Sequence, residues 1–326
     1  MRKIFFILIL LVSSHILWAQ EPADALRYSW YTSSGTARQQ AVGGAMASLG
    51  GDISATFVNP AGLGFYKTGD LVITPAFKFI TNKATYYGRT ENKGQNGFFL
   101  GTSGVVFGSA ESSKKGKTRS SAISIAVNQT ANFGSNILYR GANNQSSYSQ
   151  KFLEEISNNN DKDANHVASS YPFGTSLALN TYWIDTIAGG SSGNYSFQTR
   201  SPISTGLLQQ NNVISRGGIT ELALGGATNY NNKFMLGFTL GVPFLYYSKE
   251  ATFTEADATS NPNNKFDFAS ISENLVTNGV GINLKAGFIY KPVEYIRLGF
   301  AVHTPTFYNL TDKYNSSVTT NTESYK

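Results

Sequence analysis

The sequence predicts an all-β protein, a transmembrane antiparallel β-barrel with an N-terminal plug, and three observations predict it. Segments of roughly ten residues alternate between large apolar and small or polar side chains. Charged residues are only 14% of the 326-residue chain, while aromatics reach 13% and glycine numbers 32; an ordinary soluble domain carries about 25% charge. The chain also opens with a segment suited to export. A mean hydropathy of −0.19 excludes a helical membrane bundle, and the absence of cysteine excludes a disulfide framework, a thiolate metal site and a cysteine nucleophile.

In chain order, Arg2 and Lys3 form a positive n-region, Ile4 to Val12 an unbroken apolar h-region, and Ala19-Gln20 a cleavage point. Residues 1–19 therefore read as a secretory signal peptide, although Leu17 is larger than the usual residue at −3. The apolar run is about half the ~20 residues that a membrane-spanning helix needs, which argues against an anchor. Cleavage removes two of 26 basic residues and leaves a modest excess over the 20 acidic ones. The densest cluster, Lys114, Lys115, Lys117 and Arg119, lies between two apolar segments and reads as a polar turn. A nucleic-acid partner would require a denser basic stripe.

Residues 20–68 are rich in glycine and alanine, with AVGGAMASLGGD at their centre, and show little alternation. From Gly69 onward seven strands are expected. Leu71 to Phe79, Phe234 to Phe244, Val280 to Tyr290 and Ile296 to Val302 place large apolar residues on one face; Gly97 to Gly108, Ala122 to Phe133 and Thr220 to Tyr230 complete the set. The opposite face is mostly Gly, Ala, Ser, Thr and Asn. A soluble sandwich would turn a charged face to water, whereas lipid-facing strands put large residues outward and small or polar ones inward. Tyr86, Tyr87, Tyr230, Tyr246, Tyr247, Tyr290 and Tyr295 fall near strand ends, as interfacial girdles do, though sandwiches carry end tyrosines too. Tight turns are expected at Tyr230–Lys233 and Lys291–Glu294, and long surface loops over residues 140–218 and 250–274. Within the first loop, Tyr171 to Ile187 is apolar enough to order itself.

Seven is odd, and single-chain bacterial barrels have even strand counts. The last strand ends near Thr304, and residues 308–326 read as the opening of a polar loop. The chain is thus expected to carry about half of a barrel in residues 69–326; two chains closing one barrel is the alternative.

One stretch points to a family. GGDISATFVNPAGL at Gly50 to Leu63, Asn132-Phe133-Gly134 at the close of the third strand, and GINLKAGFIYKPVEYIRLGFAVHTPTFYNL resemble the FadL/TodX outer-membrane transporters of long-chain fatty acids and aromatic hydrocarbons. The resemblance runs from Ser33 to about Asn309. It implies a fourteen-stranded, monomeric barrel in the outer membrane, about seven strands of which are present, plugged by a hatch over residues 20–68. Asn59, Pro60 and Ala61 would lie in that hatch, where Pro60 fixes φ and Asn59 holds a compact turn. Phe133 and Gly134 would mark a kink that opens the wall sideways; a strand-end aromatic before a turn glycine is the equally simple reading. Lys78, Lys285 and Arg297 lie on small-residue faces, where they could meet a ligand carboxylate or pair with acidic residues. The implied function is passive uptake of small hydrophobic molecules, with outer-membrane lipid as the surround. A docking role for secretion machinery is the alternative, and a soluble β protein a third.

No cofactor, metal or catalytic group is expected. Gly189 to Gly193 (GGSSG) matches a nucleophile elbow in letters but lies in a Gly/Ser-rich loop rather than between a strand and a helix. His166 and His303 lie far apart in sequence and away from paired carboxylates. Asp161-Lys162-Asp163 lacks the distal Glu of a calcium loop.

Overall fold

A computed structural model describes residues 22–32, 34–110, 117–187, 190, 193–259, 261 and 263–323. The expected signal peptide, Lys114, Lys115 and most of Gly189–Gly193 lie outside the described residues. The chain forms two compact units, residues 1–32 and 33–326. In the first, α1 (Pro22–Ser29) carries an Asp24–Arg27 ion pair one turn apart.

The second unit opens with a cover of short helical pieces, residues 34–68: α2 (Ala37–Ala41), α3 (Ala55–Val58) and a 3₁₀ turn, Pro60–Phe65. Strands follow: β1 (Asp70–Val72), β2 (Pro75–Tyr86), β3 (Arg89–Leu100), β4 (Ser103–Ala110), β5 (Thr118–Asn132) and β6 (Ser135–Asn143). A cap spans residues 144–206, with helices α4 (Gln150–Asn158), α5 (Ala164–Ser170) and α6 (Thr175–Asn180) and the small hairpin β7 (Ile184–Thr186) and β8 (Phe197–Thr199). The chain then runs through β9 (Leu207–Tyr230), β10 (Phe234–Asp257), β11 (Phe268–Val293), β12 (Ile296–His303) and β13 (Phe307–Asn321).

One antiparallel sheet dominates, in the order β1-β4-β5-β9-β10-β11-β12, with β6 also beside β9 and β13 beside β11; among the described residues β2 pairs only with β3, in a hairpin of its own. The sheet is open, and no ladder joins β1 to β12 or β13 among the described residues. The chain is thus mostly antiparallel sheet, and among the described residues no helix is long and apolar enough to cross a membrane.

The seven expected segments lie in seven long ribbons, four of them interrupted. The breaks fall at Ile73–Thr74, Gly101–Thr102, Phe133–Gly134 and Thr304–Thr306. Other expectations need correction. The supposed loop over 140–218 contains the end of β6 and the first half of β9, and the 250–274 loop shrinks to residues 258–267 between β10 and β11. Of the expected loop opening at residues 308–326, residues 308–321 are strand instead: β13 pairs with β11 from Phe307↔Ile282 to Asn321↔Phe268. The second tight turn moves to Glu294–Tyr295, after a register shift between Tyr290 and Val293. The Tyr230–Lys233 turn is as expected, with Asn231 and Asn232 at φ 56° and 55°. Asn tolerates that conformation better than most residues.

The long ribbons bury the same inner face in both halves, but beneath different covers. From the Tyr230–Phe234 turn up to about Tyr247, the outward face is apolar. On β10 it shows Leu236, Phe238, Leu240 and Phe244, and in register beside them stand Leu222 and Leu224 on β9 and Val280 and Leu284 on β11. Phe300 and Val302 on β12 continue it. These side chains are solvent-facing, Phe238 at 68% and Phe300 at 66%. Large apolar side chains exposed side by side on adjacent strands mark a surface that meets a partner or a membrane rather than water. Tyr230, Tyr246 and Tyr295 face outward near its ends, whereas Tyr247 and Tyr86 turn inward, against the girdle expectation. Beyond Tyr247 the outward face becomes polar and the cap packs on the inner side, around Phe152, Ile156, Trp183, Phe266 and Ile271.

Candidate functional site: the covered inner face

The inner face of the lower half is small because something lies against it. Gly237 on β10 and Gly287 on β11 are register partners, flanked by Ala227 on β9 and Ala301 on β12. A Cβ on Gly237 would collide with the Pro60–Ala61 peptide, one on Gly287 with the Asn59 amide, and one on Gly299 with the Ala47 carbonyl. Asn59, Pro60 and Ala61, all fully buried, therefore sit in a glycine notch of the sheet.

Asn59 fastens three pieces of chain. Its Oδ1 accepts from the Ala61 N–H at 3.1 Å, while Nδ2 donates to the Ala47 carbonyl at 2.5 Å and reaches the Phe288 and Phe300 carbonyls at 3.3 and 3.4 Å. Pro60 starts the 3₁₀ turn, where its missing N–H costs nothing. The cover is braced by Asp52, whose Oδ1 accepts from the Ser54 N–H at 2.9 Å and whose Oδ2 accepts from the Thr36 hydroxyl at 2.9 Å. Thr36 in turn caps α2. Gly50 and Gly51, at φ 60° and 66°, make the adjoining turn. Ile53, Phe57 and Leu63 bury themselves against Val106, Ala122, Ala126 and Ala223. Thr56 meets Ser124 hydroxyl to hydroxyl at 2.8 Å, Ser120 donates to the Gly64 carbonyl at 2.6 Å, and His303 Nε2 lies 3.0 Å from the Val58 carbonyl.

The three basic residues do not converge. Lys285 is buried in an ion pair with Glu221 and also donates to Asn283 Oδ1 at 2.7 Å. Gly241 lies between them in the sheet, and a Cβ there would collide with both Glu221 and Asn283. Arg297 donates to the Leu49 carbonyl at 2.7 Å and stacks its guanidinium over Phe65 at 4.6 Å. Lys78 stands half-buried on β2, opposite Gly97 in the register. Of these, Lys285 is satisfied by an acidic neighbour and Arg297 holds the cover; sequence reasoning had no signal that separated those roles from ligand contact.

At Phe133–Gly134 the ladder to β9 continues, with Asn132↔Gly218 below and Ser135↔Ser215 above, and the Phe133 N–H donates to the Gly217 carbonyl at 2.9 Å. What ends here is the other ladder. β4 last pairs at Ser103↔Val127, and no strand pairs with the far edge of β6 among the described residues. Side chains of the β2–β3 hairpin bridge instead: Asn82 donates to the Asn136 carbonyl at 2.8 Å, and Gln95 to the Ser215 carbonyl at 3.2 Å. Gln95 Oε1 and Asn136 Oδ1 stay buried without a partner. The conformational demand falls not on Gly134 but on Gly217, at φ 108°, where a Cβ would strike the Tyr246 carbonyl. Phe133 sets its ring edge-on against Tyr247 at 5.6 Å.

His166 is not isolated: its Nδ1 lies 2.5 Å from Asp161, which also accepts from the Tyr171 hydroxyl at 3.0 Å. Burial disfavours the Asp161 carboxylate, but the bonds from His166, the Asp163 N–H and Tyr171 outweigh it and hold its pKa below the ordinary value. Among the described residues no group of three His, Asp or Glu side chains is arranged to hold a metal.

No family model matches this chain, and no curated protein matches it. Among solved structures, a CymD monoaromatic hydrocarbon channel is similar at 9% identity, over 88% of this chain and 97% of that one, with a TM-score of 0.18. A likeness that slight carries no argument about this protein.

Proposed function

We propose that this protein is exported to the outer membrane and forms the plugged wall of a conduit, not a catalyst, for small hydrophobic molecules such as long-chain fatty acids or aromatic hydrocarbons. One observation carries the reading: the same half of the sheet that shows lipid-like side chains outward has a glycine notch filled by its own N-terminal cover inward. The outward band from Phe234 to Phe244 on β10 matches the roughly 9–11 residues of a membrane-spanning strand. An apolar face exposed on one side only fits a surround of hydrocarbon, since each such phenylalanine would gain about 1.5–3 kcal/mol on leaving water. Entry would require the cover to shift, and exit would use the gap beside Phe133–Gly134, where the ladder to β4 has already ended at Val127 and no described strand pairs with the far edge of β6.

The test exploits the lack of cysteine. The protein is reconstituted into vesicles, and uptake of oleate and toluene is followed. A Thr56→Cys/Ser124→Cys pair, replacing two hydroxyls 2.8 Å apart, locks the cover when oxidised. Uptake should stop on oxidation and return on reduction. Failure of the unlocked protein to speed uptake of either compound overturns the transport reading.

A further inference from the structure

The cap holds a cleft of about 550 Å³ between α4, the turn at residues 170–174, β11 and β13. Its walls are aromatic. Phe173 meets Tyr314 edge-on at 5.2 Å, and Tyr148 meets Phe152 at 5.7 Å. Its ionisable lining is acidic, with Glu154, Glu155 and Glu273 against the single cation Lys151. Glu273 accepts from the Tyr314 hydroxyl at 2.6 Å, and Glu155 accepts from Thr175. Lys151 places its ammonium 5.5 Å from the centre of the Tyr148 ring. Burial first, then the charge of Glu273, keeps the Tyr148 hydroxyl above its ordinary pKa, and Tyr314 is raised in the same way, with its bond to Glu273 adding to the shift. The field in the cleft is negative, and one ammonium of the protein's own already rests on an aromatic face there.

We propose that this cleft binds an amphipathic organic cation, an alkyl- or arylammonium whose apolar part lies against Phe173 and Tyr314 and whose charge faces Glu273 and Glu154. Ammonium groups are attracted to aromatic faces, and the carboxylates add Coulombic selection. A carboxylate ligand would meet like charge. A neutral hydrocarbon would strip water from the carboxylates and return no partner. This site is independent of the conduit reading, because it lies in the cap and not on the covered inner face.

The experiment uses the whole chain in a nonionic maltoside detergent and three probes with the same ring: benzylammonium, benzyl alcohol and phenylacetate. Calorimetric titration should show saturable binding of benzylammonium, weaker binding of benzyl alcohol and none of phenylacetate. Glu273→Gln should weaken benzylammonium by about fivefold, and so should Phe173→Ala. Phe173 is 58% exposed, so its truncation leaves the cap core intact and separates loss of the site from loss of the fold. The proposal is overturned if benzylammonium does not saturate, if either other probe binds as tightly, or if neither variant weakens it.

Discussion

Two glutamates are buried on the same sheet, one in each half, and each is satisfied in a different way. Glu221, in the lower half, is 4% exposed and pairs with Lys285 across Gly241. Glu255, in the upper half, is fully buried and meets no cation among the described residues; it accepts from Trp183 Nε1 at 2.9 Å, Ser201 Oγ at 2.5 Å, the Tyr148 N–H and Gln209 Nε2 at 3.1 Å each, and Ser147. The lower half thus neutralises its charge with another charge where side chains are small and the backbone is close. The upper half surrounds its charge with neutral donors gathered from the cap and from Gln209 on β9. The first arrangement joins β9 to β11 across the strand between them; the second ties residues far apart in sequence to one buried carboxylate.

The largest effect should come from breaking the lower pair. Lys285→Met leaves Glu221 buried without its cation and should cost about 3–5 kcal/mol, while Lys285→Met with Glu221→Leu should recover most of it, because removing both charges of a buried pair is often neutral. Denaturant unfolding of the three proteins measures this. Recovery absent in the double variant would mean that the pair is not the unit at stake.

Glu255→Ala tests the other half. Several buried donors lose their acceptor, each at about 1–3 kcal/mol, though relaxation of the cap makes roughly 3 kcal/mol the expected total. The loss should be local: proteolysis within residues 144–206 should accelerate, while the ladders of the lower strands keep their hydrogen-exchange protection. Equal loosening of both halves would erase the distinction drawn here.

Smaller again is the notch. Gly237→Val drives a branched side chain into the Pro60–Ala61 peptide, and overpacking of this kind costs about 1–3 kcal/mol. Exchange should rise in residues 53–66 and leave Trp183 fluorescence unchanged. The notch also shows what a sequence can and cannot yield. The alternation of Phe238 and Leu240 with Gly237 and Gly241 was legible, and it gave the ribbons and their apolar face. That the glycines make room for Asn59-Pro60-Ala61 was not, because close approach of two distant segments leaves no local trace. Phe133 and Gly134 were legible as an interruption, yet the strained residue is Gly217, whose partner Tyr246 lies on another strand. The upper halves escaped for a different reason. Gln209, Gln210, Asn211 and Asn212 on β9, or Asn315, Ser316 and Ser317 on β13, are polar on both faces, so the period-two signal vanishes although the ladder continues.

The smallest effect concerns the turn that joins the upper ends of β10 and β11. Asp257 ends β10 and accepts from the N–H groups of Thr259 and Asn261, the Thr259 hydroxyl and the Asn264 amide. Burial disfavours its charged form, but those bonds outweigh burial and its pKa is lowered. A carboxylate with a depressed pKa stabilises the fold fully above its unfolded value of about 3.9, and that contribution disappears as pH falls through the lower, folded value. Exchange protection in residues 258–267, relative to the intrinsic rate at each pH, should therefore hold from neutrality to about pH 4 and fall only below it. In Asp257→Asn the turn should be looser at pH 7, by about 1 kcal/mol, and should lose the acid transition. Opening that began well above pH 4 in the parent protein would mean that another group governs the turn, and that Asp257 is not the acidic counterpart, in the upper half, of the charge-paired Glu221 below.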